Sequence, residues 1–166
     1  MTAMRSKTIG TQQNIKYQER LAVRAIVKND KNEIIIIHAK KENYYKLPGG
    51  GIEGNEDHAT AVQREILEET GCVVRMEGEC IGVVEEWRIG LHQFSHCYVA
   101  TLVEDTGKTA LTEEEMGDGL VHEWVDFGRV LEVMKGVEPG SELGRFIQER
   151  DIFFVEVFAG LGRLAA

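Results

Sequence analysis

Residues 50–72 read GGIEGNEDHATAVQREILEETGC, and the spacing of glycines and acids in this stretch decides the fold. Glu56 to Thr70 reads as a helix, and Gly71 stands where a C-cap is expected. On such a helix Glu65, Glu68 and Glu69 fall at i, i+3 and i+4, so their carboxylates share one face. Ala59, Val62, Ile66 and Thr70 occupy the neighbouring arc. The pattern predicts one side packed on a sheet and the carboxylates turned to a cleft. Like charges this close weaken an isolated helix. Hard oxygen ligands gathered this way suit Mg²⁺ or Mn²⁺, with a solvated acidic face as the alternative.

Upstream of the helix, Leu47-Pro48-Gly49-Gly50-Gly51 carries three adjacent glycines, punctuation foreign to a helix or strand interior. Before it, Leu21, Val23, Ala25 and Val27 alternate with Arg24 and Lys28 on the opposite side, which predicts a half-buried strand. Asn29 to Asn32 supplies turn residues, and Glu33 to His38 follows as the second strand of a hairpin. Its four successive isoleucines predict burial on both faces. Residues 1–16 are polar and without periodicity, a segment expected to be flexible ahead of one domain over residues 17–166. Downstream, Cys72 to Trp87 and Leu91 to Val103 are long β-rich stretches, Glu104 to Gly119 reads as an acidic loop, and Val121 to Phe127 as a short strand. Val130, Leu131, Val133 and Met134 fit a helical stripe, and Ser141 caps a last helix through Arg150. Ile152 to Phe158 reads as a closing strand or a docked tail. The fold class is α/β, with helices set against a central sheet.

A chain of 166 residues with 43% apolar and 28% charged residues is sized and composed for one globular domain. Its net charge of −9 argues against gripping nucleic-acid backbone through bulk charge, so no long nucleic acid is expected. An anionic substrate is still compatible, because a divalent cation inverts the local sign. Cys72, Cys80 and Cys97 are too few for a disulfide scaffold and point to a reducing, cytoplasmic setting, as does a start without an apolar signal region. Ile34 to Ile37, the strongest apolar run, is far short of the ~18 residues that span a bilayer.

From Gly50 the chain runs five residues to Glu56, seven more to Arg64-Glu65, then Ile66-Leu67-Glu68-Glu69-Thr70-Gly71-Cys72. This resembles the signature of the Nudix hydrolase family, G-x5-E-x7-R-E-U-x-E-E-x-G-U with U aliphatic. Every specified Gly, Glu and Arg matches, and chance at one start is on the order of 10⁻⁸ to 10⁻⁹. Cys72 is the one departure, at a place a small buried hydrophobe fills. The resemblance implies a Nudix-type α/β/α sandwich with a mixed central sheet and metal-dependent hydrolysis of a phosphoanhydride bond in a small nucleotide-type substrate. It also implies Glu65, Glu68 and Glu69 as metal ligands joined by the Gly50 carbonyl, Mg²⁺ or Mn²⁺ as cofactor, and Glu56 and Arg64 as the brace. Glu65, Glu68 and Arg64 form the catalytic set. The general base is a motif glutamate or a loop residue among Glu113, Glu114 and Glu115, with Glu115 the one singled out. Family members are often dimers, and Ile152 to Leu164 is a candidate interface. A further likeness, to diphosphoinositol polyphosphate phosphohydrolases, rests on the triple glycine, the basic residue before it and a helix after Glu123-Trp124. The alternative of another class is a Nudix-fold ligand sensor without catalysis.

Arg24, Lys40, Lys41, Lys46 and Arg88 are candidates for a basic substrate-binding rim. Tyr44, Tyr45, Trp87 and Phe94 either stack on a base or pack in the core, packing being the commoner use. His92 and His96 share a strand face but lack the ligand spacing of a zinc site, and His58 opens the motif helix, facing solvent. Cys80 and Cys97 read as strand-interior packing.

Overall fold

The computed structural model describes residues 4–165 and places helices on both faces of one mixed eight-stranded sheet. The strands are β1 (Arg5–Ile9), β2 (Gln18–Lys28), β3 (Glu33–Ala39), β4 (Tyr44–Lys46), β5 (Gly49–Gly51), β6 (Cys72–Arg88), β7 (Leu91–Asp105) and β8 (Leu120–Asp126). The helices are α1 (His58–Thr70), α2 (Glu113–Gly117), α3 (Val130–Lys135) and α4 (Glu142–Ala165), with a 3₁₀ turn at Phe127–Arg129. The sheet runs β1-β6-β7-β2-β3-β4, with β5 added to β2 and β8 to β3. Helix α1 covers one face over Val23, Ala25, Val27, Ile35, Val62 and Ile66. Helices α3 and α4 cover the other, over Ile26, Ile34, Ile36, Val84, Met134 and Phe154. No described helix is long and apolar enough to cross a membrane.

Two layers of helix explain the burial of the central strands. The four isoleucines of β3 are 0–1% exposed, alternate ones serving opposite cores, as their run predicts. Strand β2 is more buried than its alternation suggests. Ala22 through Val27 are all inside, Arg24 included, because α4 closes the face that a half-buried strand would show to water.

Four expectations need correction. Arg5–Ile9, expected to be flexible, forms a strand parallel to β6, from Arg5 opposite Gly82 to Ile9 opposite Glu86. Only Ile9 of that strand is buried, so backbone pairing holds it and no apolar alternation announces it; Met1 to Ala3 of the same expected segment lie outside the described residues. The triple glycine is itself a strand, pairing antiparallel with β2 through Gly49–Arg24, Gly50–Val23 and Gly51–Ala22. Glycine is required at Gly49, where φ is +150° and a Cβ would run into the Val23 carbonyl oxygen and the Arg24 Cα, whereas at Gly51 it would meet only the movable Arg20 guanidinium. The last helix does not stop at Arg150 but continues through Ile152–Phe158, which reads as neither strand nor tail. Phe154, Val155 and Phe158 fall on the core side of that helix, a 3.6-residue stripe hidden inside a nearly continuous apolar run. Finally, the acidic loop contains α2, whose Thr112 and Glu115 close a capping box.

Candidate active site

Helix α1 starts where Asp57 accepts from Thr60 N–H at 2.8 Å and ends at Gly71, whose N–H reaches the Leu67 carbonyl with φ at +75°. Between these caps Arg64 gathers the motif. Its Nε and Nη2 grip Glu56 at 3.1 and 2.5 Å, and Nη2 also donates to the Gly51 carbonyl at 3.0 Å. Its Nη1 donates to Glu65 at 2.9 Å and approaches Glu68 at 3.5 Å. The paired guanidinium holds the Glu56 carboxyl down to about 2, helped by the Glu53 N–H, and the carboxylate raises the proton affinity of Arg64 in turn. Glu56 and Arg64 therefore tie the helix to the glycine strand.

The three remaining carboxylates differ in surroundings. Glu68 is 39% exposed at its side chain, Glu65 12% and Glu69 1%. Glu69 accepts from Gly49 N–H at 2.7 Å on one oxygen and from Lys46 Nζ at 3.4 Å on the other. Burial still prevails and pushes its carboxyl up to about 7. Burial likewise raises Glu65, against the pull of Arg64. Arg64 and Lys46 supply counter-charge to these acids, and no group of three acids, histidines or cysteines among the described residues closes into a metal cage. The donor set nevertheless fits a hard divalent cation. Glu65 and Glu68 already converge on one positive atom, Arg64 Nη1, and Glu69 lies one residue beyond, all offering oxygen alone. Gly50 is seated against them, since a Cβ there would come within 2.5 Å of Glu65 Oε1.

The substrate-side candidates separate. Arg24 is 6% exposed and packs against Gly49, on the α4 face of the sheet. Its Nε is buried with no hydrogen-bond partner, and burial, aided by nearby Arg150, pushes the guanidinium down to about 10. Lys46 bridges to Glu69. Arg88 lies farther along the sheet, its Nε 3.3 Å from Glu86, in the wall of a cavity of about 570 Å³ shared with Tyr17, Leu91, Leu143 and Phe146. That cavity touches none of the motif glutamates. Lys40 and Lys41 are exposed in the turn after β3, with their N–H groups on the Gly119 and Asp118 carbonyls. Of the expected rim, Arg24 lies against Gly49 and Lys46 against Glu69, while Arg88 lies apart. Glu115 spends its carboxylate on the Thr112 N–H at 2.9 Å.

Aromatic residues pack rather than wait for a base. Tyr44 is buried, Tyr45 stacks on His38 at 4.4 Å, and Trp87 stacks on His92 at 3.7 Å with Phe94 edge-on to the same imidazole. His58 is not left to solvent: its Nδ1 lies 2.7 Å from the Tyr98 hydroxyl. Sequence reasoning missed Arg20, which donates to Gln93 beside Gly51, and the buried group of Glu86, Arg150 and Asp151. Each sits beside other charged residues, in Glu19-Arg20, Glu85-Glu86 and Glu149-Arg150-Asp151, so nothing local singles it out.

A family model described as a NUDIX domain matches residues 18–143. A Bacillus subtilis (strain 168) protein named "Putative 8-oxo-dGTP diphosphatase" is 31% identical over 105 residues, covering 63% of this chain and 65% of that protein, just under two thirds of its length. Among solved structures, the MutT protein from Methanosarcina mazei Go1 superposes with a TM-score of 0.58 at 21% identity, over 82% of this chain and 95% of its own. The MutT NUDIX hydrolase from Burkholderia pseudomallei gives 0.56 at 22% identity, over 80% and 97%. At that identity the two structures speak for the fold.

Proposed function

The chain belongs to the Nudix family of hydrolases, and from that premise we propose that it is a divalent-metal-dependent pyrophosphohydrolase acting on a small nucleotide-type diphosphate. Arg24 is the observation that carries this reading: a buried guanidinium with an unpartnered Nε stands beside the glycine strand and the motif acids. An unpaired buried cation is costly, and a phosphate oxygen entering the cleft completes its hydrogen bonding. The name of the Bacillus subtilis relative supports the nucleotide class. The free thiols fit a reducing, cytoplasmic setting.

Glu65, Glu68, Glu69 and the Gly50 carbonyl would hold Mg²⁺ or Mn²⁺. When bound, such an ion neutralises phosphate charge and lowers the pKa of a water. The chain's own residues do the rest. Arg64 and Glu56 fix helix α1 against Gly51. Arg24 and Lys46 orient the diphosphate. Glu115 caps its own helix, and we take the proton acceptor from the motif glutamates, of which Glu68 is less encumbered than Glu65.

The test is incubation with Mg²⁺ and a panel of nucleoside triphosphates, dinucleotides, nucleotide sugars, capped fragments and diphosphoinositol polyphosphates, with products read by mass spectrometry. A nucleoside monophosphate product that EDTA abolishes is expected. Binding without any product would favour the sensor, and turnover of the inositol compound alone would move the substrate class.

A further inference from the structure

Helix α4 starts as the family match ends, yet it reaches back beneath the motif. Asp151 is fully buried, and one of its oxygens accepts the Leu47 N–H at 2.9 Å, across 104 positions of sequence. Arg150 holds the same carboxylate side-on, Nε at 2.7 Å from one oxygen and Nη2 at 3.1 Å from the other. Successive residues of a helix ordinarily point apart. Here Arg150 is drawn back by Glu86, which accepts from Nη1 at 3.1 Å. Arg150 and Glu86 are 1% and 0% exposed. Stability alone is a weak reason to keep such a group, because apolar replacements of buried ion networks are often neutral or stabilising.

What Asp151 grips supplies the other reason. Leu47 is flanked by the two groups that hold Glu69: the Lys46 ammonium before it, on one carboxylate oxygen, and the Gly49 N–H after it, on the other. We propose that Asp151, itself oriented by Arg150 and Glu86, is a positioning residue for the candidate metal centre, setting through Leu47 the backbone from Lys46 to Gly49 that presents Glu69. This rests on the reading of Glu69 as a metal ligand.

The test compares wild type with Asp151→Ala, Asp151→Asn and the triple change Glu86→Gln, Arg150→Met, Asp151→Leu. The triple variant removes the three charges together, so that none of these three is left without its partners if Asp151→Ala fails to fold. Circular dichroism establishes folding, electron paramagnetic resonance of free Mn²⁺ gives metal affinity, and hydrogen exchange follows the Leu47 and Gly49 amides in metal-free protein. Folded variants without the acceptor should bind Mn²⁺ about 10-fold more weakly or worse and exchange both amides faster, while Asp151→Asn, which keeps an oxygen for Leu47, should recover most of the affinity. Folded acceptor-free variants within about twofold of wild type, or an Asn variant as weak as they are, would overturn the assignment. If wild type binds no Mn²⁺, the metal reading falls by itself, and the two amides still decide whether Asp151 sets this backbone.

Discussion

Gly50 and the Glu65 carboxylate occupy adjoining space so closely that a Cβ on the glycine would stand 2.5 Å from Oε1. The obstacle is the tip of a side chain, which swings aside at small cost to the fold. Gly50→Ala should therefore keep its circular dichroism spectrum while turnover drops about 100-fold, the scale expected when a reacting group is misplaced by an ångström. Steady-state kinetics beside a thermal melt checks this. A variant with wild-type turnover would show that Glu65 need not stay where it is.

Arg24 should trade stability for function. Its buried, unpartnered Nε is a cost borne by the empty protein. Arg24→Met is expected to hold or raise stability, by about 1 kcal/mol in denaturant unfolding, while kcat/KM falls roughly 10- to 100-fold. Loss of stability without loss of kcat/KM would make Arg24 a structural residue.

Glu68 and Glu69 should separate in the same way. Both Glu68→Gln and Glu69→Gln should cut turnover by more than the ~10- to 100-fold typical of supporting groups. Glu69 should in addition alter stability against pH. Its folded value, about 7, lies above the ordinary 4.5, so the folded chain binds the proton more tightly than the unfolded chain. Metal-free protein is then predicted to lose stability as pH rises from about 4.5 to about 7, by roughly 3 kcal/mol from Glu69 with Glu65 adding in the same direction, and Glu69→Gln should reduce that slope. Denaturant titrations in EDTA across this range measure it.

His92 provides a second titration of the same sign, in a higher pH range. Burial alone would lower its pKa, but hydrogen bonds to Glu85 at 2.7 Å and Glu19 at 2.6 Å outweigh it and leave the value raised. With a carboxylate on each ring nitrogen, the imidazolium donates twice. Its contribution is complete below the ordinary histidine range and lost as pH climbs through the raised value. Trp87, stacked on the ring at 3.7 Å, reports the change by fluorescence in a Trp124→Phe background. His92→Gln should abolish the fluorescence titration and lower Tm at pH 6 by roughly 2–4 °C.

Helix α1 and its acids were legible because a 3.6-residue period, a cap and a spacing of charges all agree within 23 residues. Arg24 was legible as a charge, with Lys28, on the polar side of an alternating strand. The glycine strand was not, since strands seldom use glycine and the need for it at Gly49 arises from Val23 and Arg24, which only folding brings against it. Ile152–Phe158 misled for a different reason: a short apolar run suits either a buried strand or a buried helix. Asp151 and Leu47 are invisible to any local pattern, 104 positions apart.

Trimming has a hazard that similarity conceals. An expression fragment ended at residue 143, where the family match stops, would discard Phe154 and Val155 from beneath the sheet and strip Arg150 from the buried Glu86. Recognisable ancestry and the unit able to fold by itself have different edges in this molecule.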